Sequence, residues 1–79
     1  MNEKDFINEL LFGKKIKEVK NKDKFFKMTG LDPFLMFAER PVFVKNEKTN
    51  EHWLIADVKV FKVKKGAEKE IMKKMKELF

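Results

Sequence analysis

One run of the chain, Arg40 to Lys65 (RPVFVKNEKTNEHWLIADVKVFKVKK), narrows the choice of fold more than any other. Val42, Phe43 and Val44 are β-branched or aromatic, the types that suit a pleated, half-buried surface. Pro41 cannot donate to a ladder and fits the first position of a strand or an edge. Asn46 to Glu51 is polar throughout, and its two asparagines tolerate turn geometry. His52 to Val63 then favours strand again, so the two runs predict an antiparallel hairpin with a longer loop.

As one regular strand, the second run places Leu54, Ala56, Val58 and Val60 on a wholly apolar face. Trp53, Ile55, Asp57, Lys59, Phe61 and Val63 then share a mixed face. The pattern is weakest at Ala56–Asp57, where a bulge or a break fits. Because the second run outlasts the first, Val58 to Val63 needs another partner or forms an open edge, guarded by Lys59, Lys62 and Lys64.

Helical signals flank this run. Asn2 can cap a helix whose apolar positions are Phe6, Ile7, Leu10 and Leu11, with Gly13 as its stop. That gives a helix over 3–12, although the spacing of Phe12, Ile16 and Val19 also allows continuation to Lys20. Asp23 and Gly30 bracket a short helix over 24–29. Asp32 followed by Pro33 is a helix start, and Pro41 limits that third helix to about 33–39. Its core, Phe34-Leu35-Met36-Phe37, is apolar all round, which suits burial or a contact surface. After Gly66, the apolar residues Ala67, Ile71, Met75 and Leu78 recur at helical spacing and predict an amphipathic helix over 67–78 that packs on Leu54, Val58 and Val60. The expected fold class is therefore α+β, in the order α-α-α-β-β-α. It is one small domain in which a two- or three-stranded antiparallel sheet is covered on one face by helices, the C-terminal one included.

Composition limits the chemistry. In 79 residues there is room for one domain, and nine Phe and one Trp carry much of its apolar area. Serine and cysteine are absent, so the usual nucleophiles, disulfides and thiolate metal sites are excluded. His52 is the only imidazole and Glu51 stands beside it, but a lone histidine at a strand start reads as a titrating surface group. No ligand spacing for a metal and no cofactor motif is present, and the expected protein is non-enzymatic. With neither a membrane-length apolar run nor a signal peptide, it is expected to be soluble and cytoplasmic.

Charge is segregated along the chain. Residues 14–27 hold seven lysines against Glu18 and Asp23, a net of +5, and residues 52–66 hold four against Asp57, a net of +3. Residues 1–13 are net −2. The basic stretches interleaved with aromatics suit nucleic acid or another polyanion, with lysines on phosphates and aromatic rings under bases. The expected site is Trp53, Lys59, Phe61, Lys62, Lys64 and Lys65. With one arginine against eighteen lysines, bidentate base reading is not expected, and binding should depend on backbone charge with little sequence specificity. Lys27 to Pro33 resembles the turn of a helix-turn-helix with the hairpin as its wing, yet the following Phe34, Leu35, Met36 and Phe37 are not groove-reading residues. The other expectation is a protein-interaction module that presents Phe34, Leu35 and Phe37 to a partner. Self-association as a homodimer would use the same helix or the edge of strand 58–63.

Overall fold

A computed structural model describes residues 2–79. Helix α1 spans Glu3–Phe12 and is capped as the sequence requires, with the Asp5 N–H donating to Asn2 Oδ1 at 2.8 Å. Phe6, Ile7 and Leu10 form its buried stripe. Continuation to Lys20 does not occur. Gly13 donates back to the Glu9 carbonyl, and Lys14 takes a left-handed φ of 55° that turns the chain into strand β1, Ile16–Glu18. Ile16 and Val19, at helical spacing in the sequence, instead serve opposite faces of a sheet: Ile16 belongs to one core cluster and Val19 packs against the other.

Helix α2 spans Lys22–Thr29, and its cap is Asn21 rather than Asp23, with the Lys24 N–H donating to Asn21 Oδ1 at 3.1 Å. Gly30 closes it at φ 72°, the left-handed position that glycine occupies without steric cost. The expected third helix is shorter than 33–39. Pro33–Phe37 is a single 3₁₀ segment, started by Asp32 Oδ1 accepting from the Phe34 N–H at 2.9 Å. Five residues of 3₁₀ helix are too short to lie along a DNA groove as a recognition helix.

Strands β2 (Val42–Asn46), β3 (Glu51–Ala56) and β4 (Lys59–Val63) follow, and the sheet order is β1-β4-β3-β2, antiparallel throughout. The fold is thus α+β, with four strands where two or three were expected: the second run splits into β3 and β4, and β1 joins from the first basic stretch. The run His52–Val63 is not one strand. Asp57 and Val58, at φ 54° and 58°, form a two-residue turn between Ala56 and Lys59. Both positions at positive φ match the type I′ geometry whose twist suits adjoining strands.

This turn corrects the face assignment. Across it, Leu54 opposes Phe61 and Ile55 opposes Val60, so even positions of β3 share a face with odd positions of β4. Leu54, Ala56, Phe61 and Val63 pack with Phe6, Leu10, Ile16 and Ile71 under α1 and the C-terminal helix α3, Glu68–Leu78. Trp53, Ile55 and Val60 pack on the other face with Phe25 and Phe26 of α2, joined by Leu35 and Met36 of the 3₁₀ segment. Val58, expected beneath the C-terminal helix, sits in the turn and is exposed, and Val60 belongs to the opposite core. Helices α1 and α3 cover one face as expected, and α2 with the 3₁₀ segment covers the other. The two-faced sheet uses the apolar residues that a one-faced sheet leaves over.

β4 is also an interior strand. Its far side pairs with β1 through Ile16↔Val63, Lys17↔Lys62 and Glu18↔Phe61. The strand 58–63 edge, expected as one route to a homodimer, is already occupied within the chain. Among the described residues no helix is long and apolar enough to cross a membrane.

Candidate functional site

The β1–β4 pairing joins the two basic stretches of the sequence. Lys14 and Lys17 come from the first, and Lys62, Lys64 and Lys65 from the second. All five line one open groove of about 520 Å³ at the β1 end of the sheet. Leu11 supplies its exposed apolar surface, buried Ile16 and Val63 back it, and no carboxylate lines it. Lys17 and Lys62 are direct cross-strand partners. Like charges directly opposite one another destabilise a sheet, and here the Glu51 carboxylate that bonds Lys62 offsets part of that repulsion.

Each lysine is placed by local backbone rules. Lys14 rides the left-handed turn after α1. Lys17 and Lys62 project from the same sheet face as Trp53, because Trp53 and Lys62 are opposed in register. Lys64 N–H donates to the Lys15 carbonyl at 2.8 Å, which extends the ladder past β4 and fixes the rim. Lys62 is not free of partners: its ammonium lies 5.7 Å from the Trp53 ring centroid and bonds the Glu51 carboxylate. The Lys62 hydrogen bond, aided by Thr49, holds the Glu51 carboxyl below its usual value.

The sequence-predicted site divides accordingly. Lys62, Lys64 and Lys65 are brought together and exposed. Lys59 is exposed but stands beside the β3–β4 turn, paired with Ala56, on the opposite sheet face from Lys62 and outside the groove. Neither aromatic is available to a base. Phe61 is 1% exposed in the core under α1 and α3, and Trp53 is 7% exposed in the other core, 5.4 Å from the Phe25 ring. The type I′ turn puts them on opposite faces, so the expected alternation of aromatic and basic side chains along one face does not form.

In the other expected site, Phe34 and Phe37 are 77% and 64% exposed, their rings 6.2 Å apart. Leu35 points the other way, half-buried against the Trp53 core, and anchors the segment rather than meeting a partner.

Two groups outside the expected set complete the description. Phe12, the last residue of α1, is 92% exposed, next in the chain to groove-lining Leu11. Its position was readable, since it falls off the Phe6–Leu10 stripe just before a glycine stop. His52 stacks on Phe43 at 5.3 Å, and its Nδ1 is buried without a hydrogen-bond partner, 3.8 Å from Glu68 Oε1. The Glu68 carboxyl is itself held low by backbone N–H groups, its own and that of Gly66. Among the described residues no group of three His, Cys, Asp or Glu side chains gathers as a metal site. No protein-family model matches the chain, and no curated protein or solved structure matches it.

Proposed function

We propose that this protein is a non-enzymatic binding protein whose β1–β4 groove takes nucleic acid or a related polyanion with little sequence specificity. The observation that carries the reading is the convergence of Lys14, Lys17, Lys62, Lys64 and Lys65 on one concave surface that no carboxylate lines. Lys14, Lys17, Lys64 and Lys65 supply charge neutralisation, Lys62 being already bonded to Glu51, and lysine acts there as a point charge rather than a reader of base edges. The net charge of +6 adds long-range attraction for a polyanion. A cysteine-free basic chain of this kind suits the cytoplasm, where such partners are abundant.

Charge reversal tests the reading. Lys17→Glu with Lys64→Glu should abolish binding of a labelled oligonucleotide in fluorescence anisotropy at low salt. Lys45→Glu with Lys48→Glu, on the hairpin at the opposite edge of the sheet, should cost far less. Equal losses from both pairs would reduce the groove to bulk charge, and no wild-type binding at tens of micromolar protein would end the polyanion reading.

A second reading rests on Phe34 and Phe37, which expose two neighbouring rings on a segment anchored by Leu35. Such a pair suits a protein partner or a second copy of the chain. Light scattering of wild type and Phe34→Ala/Phe37→Ala separates the homodimer from the monomer: a monomer at high micromolar concentration excludes self-association.

A further inference from the structure

We infer that the groove takes single-stranded nucleic acid in preference to duplex, with Phe12 as the platform on which a base stacks; the inference rests on the polyanion reading above. The groove is not uniformly polar. Leu11, 39% exposed, presents apolar surface beside the lysines, and phosphate has no use for it; Ile16 and Val63 line the groove from the buried core. A duplex turns its base faces into its own stack and offers phosphate and sugar to a protein surface. An unpaired strand carries bases free to cover apolar surface and to stack on an aromatic ring.

Phe12 is the aromatic so placed. The chain sites it between Leu11 and Lys14, both of which line the groove, with only Gly13 intervening. Consecutive Cα atoms lie about 3.8 Å apart, so the Phe12 backbone adjoins the rim at Leu11. At 92% exposure it contributes almost nothing to either core. Trp53 and Phe61 cannot substitute for it, since both are buried.

The chain also lacks the means for duplex sequence reading. Its single arginine, Arg40, bonds the Phe79 carbonyl at 3.3 Å and does not line the groove. Lysine charge with one stacking ring is the combination that holds an unpaired strand irrespective of sequence.

The test compares three probes: a labelled oligothymidylate of about twelve nucleotides, within the usual site size for such proteins, a duplex of the same length, and inorganic polyphosphate as a competitor without bases. Wild type should bind the single strand more tightly than the duplex. Phe12→Ala should weaken single-strand binding about five- to a hundredfold, the range expected for loss of one stacked base. Polyphosphate competition should not change, and Phe12→Trp should restore single-strand binding. Equal affinity of wild type for duplex and single strand, or unchanged single-strand binding by Phe12→Ala, would overturn the inference while leaving the polyanion groove intact. Failure of all three probes to bind would instead remove the groove reading on which it rests.

Discussion

The least comfortable residue in the chain is Val58. A β-branched side chain at φ 58° is disfavoured, and a left-handed L-residue costs about 1–2 kcal/mol. The turn is held from both flanks: the Asp57 N–H donates to Glu3 Oε1 at 2.9 Å, and Lys22 Nζ donates to the Val58 carbonyl at 3.0 Å. Val58 is 43% exposed, so little burial is lost on truncation. Val58→Gly should therefore stabilise the protein by about 1 kcal/mol, read as a rise in melting temperature. A fall would mean that the isopropyl group, not the backbone, decides this turn. The same residue explains the largest misreading of the sequence. Asp57-Val58 lacks the glycine that marks a two-residue hairpin, and the β-branched valine prolonged the apparent strand. The weak point at Ala56–Asp57 was legible as a bulge or break but not as a chain reversal, so Trp53 and Phe61 fell on one face instead of two. The lysines were legible as charge, but their meeting depended on a pairing between residues far apart in the chain.

At the scale of elements, the helices were legible and the shortest strand was not. Asn2, Gly13, Gly30 and Asp32 act as caps or stops through local hydrogen bonds that need no tertiary context, whereas the cap read at Asp23 lies at Asn21. β1 is three residues long in lysine-rich sequence, and only its pairing with β4 defines it. The C-terminal helix makes the sharpest case. Ile71 is fully buried, and Met75 and Leu78 pack beside it against the α1 core. Ile71→Ala should cost about 2–5 kcal/mol, enough to unfold much of so small a domain. Melting within a degree or two of wild type would place that stripe outside the core. The start of α3 also sets an acid limit. Ala67 gives no side-chain cap, and Glu68 accepts from the Gly66 N–H at 2.9 Å. Backbone hydrogen bonds hold the Glu68 carboxyl below its ordinary 4.5, and Lys62 does the same for Glu51. Both groups lose protons more readily folded than unfolded, so their stabilisation is complete above pH 4.5 and disappears as pH falls through the lower folded values. Chemical denaturation at pH 6 and pH 3, about 1.5 units either side of that value, should show lower stability at the acid end. With Glu68→Gln and Glu51→Gln together the difference should narrow; an unchanged difference would assign the acid loss to other carboxylates.

For the whole molecule, one topological step accounts for both the core and the groove. Placing β4 between β3 and β1 buries Val60 on one face and Phe61 and Val63 on the other, and it sets Lys62, Lys64 and Lys65 beside Lys14 and Lys17. The apolar surplus that suggested an interface from sequence is largely absorbed by the second sheet face. Phe12, Phe34 and Phe37 remain outside among the aromatics. The central claim is that the groove lysines act together on a polyanion. It is tested most directly by the salt dependence of binding to a labelled single strand, measured by anisotropy across a range of sodium chloride concentrations. With Lys62 already bonded to Glu51, neutralising four phosphates predicts that log K falls against log salt with a slope of roughly −2.8, shrinking by about 0.7 for each of Lys14, Lys17, Lys64 and Lys65 replaced by alanine. A slope near zero, or one that ignores Lys17 and Lys64, would contradict the account.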